Sequence, residues 1–142
     1  MARAVLSARR MEFATDDVPS APFFSILKLG ACLFASVPPQ LRDVHARGLQ
    51  DALARRLASE RGLRGLLLDV SALGIVDSYA AKVLGEIGAS ARSLGARAIL
   101  VGLRPAVAVT LVELGIDLTH VETAMSLERA LSLLRMRLVS EA

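Results

Sequence analysis

Two short apolar stretches decide the fold: Leu66-Leu67-Leu68-Asp69-Val70 and Ala98-Ile99-Leu100-Val101, with a helical pattern between them. Each stretch is bounded by turn residues, which is typical of strands that are buried on both faces of a sheet. After Asp77, apolar residues recur at helical spacing until Gly95, at Ala80, Val83, Leu84, Ile87, Ala91 and Leu94. This order predicts two parallel strands joined by a crossover helix.

The same patterns recur on the N-terminal side of this unit. Residues 23–29 and 32–37 are predicted to form two short strands around the turn Gly30-Ala31. An amphipathic helix is predicted over about 40–60, and Gly62 is expected to end it. The chain therefore opens with a hairpin, followed by a helix that leads into the central unit.

Further elements are predicted on the C-terminal side. Pro105 opens a third helix that Gly115 closes, and a short strand is expected at 120–122. Ser126 can cap a final helix, whose apolar side extends to Leu138. The order β-β-α-β-α-β-α-β-α predicts an α/β fold with a mixed, mostly parallel sheet of about five strands and about four helices.

Composition limits the classes of protein that fit this chain. With 142 residues, 54% of them hydrophobic, it can form one domain with its own core. The longest run without charge, 29–41, is shorter than a membrane span of ~20 residues and contains two prolines. Cys32 is the only cysteine, which excludes a disulfide scaffold, and the first residues lack the apolar core of a signal peptide. We expect a cytoplasmic protein without a membrane partner.

The basic balance does not indicate a nucleic-acid partner. The formal net charge is +3, and the arginines are scattered, with adjacent pairs only at Arg9-Arg10 and Arg55-Arg56. Aromatic residues make up 4% of the chain and tryptophan is absent, so little is available for base stacking.

Residues 1–22 show no sustained hydrophobic period of a helix or a strand and are expected to form a flexible arm before a single domain at 23–140.

Motifs for catalysis or cofactor binding are missing. No glycine-rich nucleotide motif follows a predicted strand, and no nucleophile elbow is present. His45 and His120 have no metal-ligand spacing around them, and Cys32 lies in an apolar strand where an inert thiol is expected. Asp69 is predicted to be a turn or cap residue. We therefore expect no catalytic residue, no metal and no cofactor.

Asp77-Ser78 is the most informative pair of polar residues. Asp77 suits the N-cap of the central helix, which places Ser78 at the first helical position. One interpretation is a cap followed by a small residue. The other is a hydroxyl presented for phosphorylation, since free backbone N–H groups and the helix dipole favour a phosphoryl group at this end.

Two segments carry a family resemblance: 75–85, IVDSYAAKVLG, and 102–116, GLRPAVAVTLVELGI. In this order they resemble the STAS family, and within it the RsbS-like scaffold proteins of the bacterial stressosome. The resemblance covers roughly 23–138 and implies the STAS fold.

The resemblance also implies which residues carry the function. Ser78 matches the serine that a partner kinase of the histidine-kinase-like ATPase type (RsbT-like) phosphorylates in the family. Thr110 is the nearest counterpart of a second phosphorylated position in the co-scaffold relatives. Asp77, Ser78, Tyr79 and Lys82 are expected to form the partner-binding surface.

The implied partners define a non-enzymatic switch in a bacterial general stress response. They are the kinase, a STAS co-scaffold with a sensor domain (RsbR-like) and a phosphatase, in a homo- and hetero-oligomer. Two other classes stay open: a monomeric anti-sigma-factor antagonist and a STAS module that binds a small ligand or nucleotide.

Overall fold

In a computed structural model, which describes residues 25–115 and 118–136, strands and helices follow the predicted order. Within those residues there are five strands and four helices. Their bounds are β1 Ile26–Leu29, β2 Cys32–Ser36, α1 Asp43–Ser59, β3 Gly65–Asp69, α2 Ser78–Ser93, β4 Arg97–Val101, α3 Pro105–Glu113, β5 Val121–Ala124 and α4 Leu127–Leu133.

The sheet is mixed, as the sequence predicts. Its strands lie in the order β1-β2-β3-β4-β5. β1 and β2 pair antiparallel with Leu29 opposite Cys32, around a turn where Gly30 has a φ of 60°. The other three pairs are parallel, so the α/β prediction with one antiparallel pair is confirmed.

Three helices cover one face of the sheet. From β2 to β5, each new strand is added at the same edge of the sheet. Right-handed crossovers between these parallel strands therefore place α1, α2 and α3 on the same face. The main core lies between this layer and the sheet. Its larger members include Leu33, Leu49, Leu53, Leu66, Leu68, Leu84, Ile87, Leu100 and Leu111.

α4 covers the opposite face with a smaller core. Cys32, Leu67 and Ile99 of the sheet pack there against Ala130, Leu131 and Leu134. Gly65, the first residue of β3, permits this approach because a Cβ at that position would overlap the side chain of Leu134. The glycine therefore sets how closely α4 can lie on the sheet.

The ends of two helices differ from the prediction. α1 begins at Asp43 rather than near Gln40, because Gln40 instead forms a β-bridge with Ile75. The final helix ends at Leu133, and Arg135 then adopts a φ of 59°, so the predicted continuation toward Leu138 is wrong as far as residue 136. Leu138 itself and the predicted arm at 1–22 lie outside the described residues.

Candidate functional site

The candidate site lies at the edge of the sheet where the parallel strands end. The loops 37–42, 70–77 and 102–104 follow β2, β3 and β4, so they meet at this edge. In open α/β sheets this edge is the usual place for ligands and partners. Ser78 lies here, as the first residue of α2.

Asp77 fixes the start of α2. It has an extended backbone, and its Oδ1 accepts a hydrogen bond from the Ala80 amide at 2.8 Å. This is the N-cap geometry that the sequence predicts, with the cap satisfying one of the free amides of the first turn. Both Asp77 and Ser78 are exposed, so the Ser78 hydroxyl is presented to solvent on an ordered helix start.

Tyr79 and Lys82 lie on different sides of Ser78. Tyr79 is half-buried against the main core, and its hydroxyl accepts a hydrogen bond from Nε of Arg47 on α1 at 3.3 Å. That contact raises the pKa of the Arg47 guanidinium. Lys82 is exposed, lies four residues after Ser78 on the same face of α2, and has its Nζ 4.0 Å from Glu86. Arg47 is a neighbour that the sequence alone did not indicate.

An open cavity of about 760 Å³, here called the Ile75 groove, adjoins this helix start. Val44 and Ile75 expose 68% and 62% of their surface there, although both are apolar. The loops after β2 and β3 and the first turn of α1 supply its lining: Gln40, Leu41, Arg42, Val44, His45, Ile75 and Asp77. Such exposed apolar side chains beside a polar rim are typical of a protein-binding surface.

Thr110, the second predicted phosphorylation position, lies on α3 and does not line the Ile75 groove. It is half-buried, and its Oγ1 donates to the carbonyl of Ala106 at 3.1 Å, one turn earlier in the same helix. The hydroxyl is therefore held by its own helix in this state, and its modification stays a prediction.

Asp69 and Cys32 have structural surroundings. Oδ1 of Asp69 accepts from the Ser71 amide at 3.0 Å and from its Oγ at 2.7 Å, which is the predicted turn role. Cys32 is fully buried, and this burial raises the pKa of its thiol, against a smaller opposing effect of Arg64.

The described part of the chain has neither a group of metal-ligating side chains nor a membrane-spanning helix. Among residues 25–115 and 118–136, no three histidine, cysteine or acidic side chains are grouped closely enough to hold a metal ion. No helix in the same part of the chain is long and apolar enough to span a membrane.

Comparison with known protein families identifies the family of this domain. The STAS domain matches residues 24–130. The chain belongs to the STAS domain family. The STAS fold predicted from the sequence is thereby confirmed, and the segments 75–85 and 102–116 both lie within the matched region.

This STAS domain is similar to proteins of the RsbR and RsbS types. The RsbT co-antagonist protein RsbRD of Bacillus subtilis (strain 168) is 35% identical over 91 residues, which are 63% of this chain and 32% of RsbRD. This chain therefore spans about a third of that relative.

Two solved structures match more evenly. A serine-to-glutamate variant of RsbS from Moorella thermoacetica superposes with a TM-score of 0.69 at 35% identity, covering 78% of this chain and 92% of that one. A structure describing the molecular architecture of the stressosome gives a TM-score of 0.66 at 34% identity, covering 78% and 95%.

Proposed function

We propose that this STAS domain is a non-catalytic stressosome scaffold that holds a partner serine kinase and releases it when Ser78 is phosphorylated. One observation carries the proposal: Ser78 is exposed at the first position of α2, directly after the Asp77 cap and beside the apolar Ile75 groove. The similarity of this chain to RsbS and RsbR proteins supports the same proposal.

The groove offers a docking surface for the unmodified state. Val44 and Ile75 supply apolar area, while Tyr79 and Lys82 border the helix start from two sides. A kinase that docks here buries the apolar side chains and brings its ATP to the Ser78 hydroxyl. Docking and modification thus use one surface.

Phosphorylation then changes the charge of that surface. The Ser78 oxygen forms a bond to the γ-phosphorus of ATP, while the bond from that phosphorus to the bridging oxygen breaks and ADP leaves. The hydroxyl proton passes to a base on the kinase. The new group brings about −1.5 to −2 charges next to the Asp77 carboxylate. Repulsion between these charges and the cost of desolvating them against Val44 and Ile75 weaken the docked state. A phosphatase would restore it.

Kinase capture tests the release step. Immobilised Ser78→Asp protein should retain several-fold less of the RsbT-type kinase from the same genome than wild type does, whereas Ser78→Ala should retain it fully. Ser132→Asp is the matched control, since Ser132 is also exposed but lies on α4, on the other face of the sheet. Equal retention by all three variants would refute the charge mechanism.

Particle size separates this function from the two alternatives. A stressosome scaffold mixed with an RsbR-type co-scaffold should form a particle of megadalton class in light scattering. A monomer that binds one anti-sigma kinase would instead favour the anti-sigma-factor antagonist. Thermal stabilisation by nucleotides would favour the ligand-binding module.

A further inference from the structure

Arg104 reaches from one loop of the site to another. It precedes α3, but its side chain does not cap that helix. Its Nη2 instead donates a hydrogen bond to the carbonyl of Leu73 at 2.8 Å, across 31 residues of sequence. A guanidinium bonded to a loop carbonyl forms a charge-assisted hydrogen bond, which is stronger than one between neutral groups.

Gly74 leaves the space that this contact needs. A Cβ built on Gly74 would lie 3.0 Å from Nη2 of Arg104, so the guanidinium would have to move by a few tenths of an ångström to accommodate it. On its other side the same loop is bonded to Pro39, whose carbonyl accepts from the amides of Gly74 at 3.0 Å and Ile75 at 3.4 Å. The segment 73–75 is therefore held from both sides.

The held segment ends three residues before Ser78, the proposed phosphorylation site. Leu73 is fully buried, and only Ile75 and Val76 separate Gly74 from the Asp77 cap. Because only two residues link Gly74 to Asp77, we expect a shift at Gly74 to be passed on to Ser78. A misplacement of ~1 Å at a reacting group can reduce a rate by ~100-fold.

We propose that Arg104 is a positioning residue for the phosphorylation of Ser78, acting through the Leu73 carbonyl and the space at Gly74. The inference rests on the proposed function, since it assumes that Ser78 accepts the phosphoryl group. A residue that positions the hydroxyl affects turnover, whereas a residue that only binds the kinase affects KM.

Steady-state phosphorylation by the RsbT-type kinase of the same genome tests this role. Arg104→Ala should lower kcat about tenfold with KM changed less than about twofold, and Arg104→Lys should recover part of kcat by donating one hydrogen bond. Arg92→Ala is the matched control, because Arg92 is an exposed arginine at the far end of α2. Its kinetics should equal those of wild type.

A double-mutant cycle tests whether the effect passes through Gly74. Gly74→Ala should lower kcat less than Arg104→Ala does and should add little to Arg104→Ala, since the guanidinium that it shifts is then absent. Hydrogen exchange at the amides of Gly74 and Ile75, measured without kinase, should be faster in Arg104→Ala.

The outcomes distinguish the two claims. If wild type is not labelled on Ser78, the proposed function fails, and the role of Arg104 fails with it. If wild type is labelled and Arg104→Ala keeps the kcat of wild type, with or without a change in KM, the positioning role alone is overturned. Additive effects of Gly74→Ala and Arg104→Ala would also overturn it.

Discussion

The Asp77 carboxylate accepts a hydrogen bond from the Ala80 amide at 2.8 Å, three residues further along the chain. This bond occupies one of the free amides at the start of α2 and leaves the intervening Ser78 exposed. A single aspartate thus both stabilises the helix and holds the serine that we propose to be modified. The bond gives a direct test of how the site is built.

Removing the cap should destabilise the domain. Asp77→Ala is expected to cost about 1 kcal/mol in the free energy of unfolding, because the Ala80 amide loses its partner. Asp77→Asn should cost much less, since its amide oxygen can still accept that bond. Urea denaturation measures both variants. Equal stability of Asp77→Ala and wild type would contradict the capping role.

Two leucines of the same helical apolar pattern should differ in their contribution to stability. Leu84 of α2 is fully buried, whereas Leu94, which ends the helix, exposes 51% of its surface. Leu84→Ala should cost about 2–5 kcal/mol and Leu94→Ala less than ~1 kcal/mol. Comparable losses in chemical denaturation would contradict the described core.

Alanine should have opposite effects at two glycines. A Cβ at Gly65 would overlap the side chain of Leu134, so Gly65→Ala is expected to cost about 1–3 kcal/mol. A Cβ at Gly48, within α1, would lie in open space, and alanine there should add about 0.5–1 kcal/mol. Thermal unfolding gives the sign of each change. A stabilising Gly65→Ala would contradict the close approach of α4.

The pair Arg97 and Glu122 should make a small contribution that disappears in acid. Nη2 of Arg97 lies 2.7 Å from Oε1 of Glu122. The hydrogen bond from Arg97 lowers the pKa of Glu122 from its ordinary value of 4.5. A carboxyl with a lowered folded pKa stabilises the fold above 4.5 and loses that contribution as pH falls through its lowered value. Glu122 is 40% exposed, so solvent screening keeps the effect well below ~1 kcal/mol.

Glu122→Gln measures this contribution. The difference in unfolding free energy between wild type and variant should be largest near neutral pH and should shrink below pH 4.5. A difference that grows as pH falls would contradict the assignment. Chemical denaturation at a series of pH values provides the comparison.

Local patterns predicted most of the fold. Most of the apolar run at 66–70 lies in β3, which is Gly65–Asp69 and is buried over its first four residues. The cap at Asp77 is predictable because an N-cap acts on an amide only three residues away. The final helix was overextended, because its leucine spacing continues toward Leu138 while the chain turns at Arg135. The spacing of apolar residues does not show where the backbone adopts a positive φ.

The site was predictable only where its parts are adjacent in sequence. Asp77 and Ser78 were found because they are neighbours at one helix start. The Ile75 groove combines Val44 and Ile75 from separate loops, and the contact of Arg104 with Leu73 spans 31 residues. Such juxtapositions depend on which strands pair in the sheet, and an isolated arginine before a proline carries no sign of its distant partner.

Site-resolved phosphorylation is the sharpest test of the proposed role of Ser78. Purified protein should be incubated with the RsbT-type kinase of the same genome and ATP, digested, and analysed for phosphopeptides, with Ser78→Ala and Thr110→Ala treated in parallel. We expect stoichiometric phosphate on Ser78, loss of labelling in Ser78→Ala, and retained Ser78 labelling in Thr110→Ala. Equal labelling of wild type and Ser78→Ala would show that Ser78 is not the phosphorylated residue.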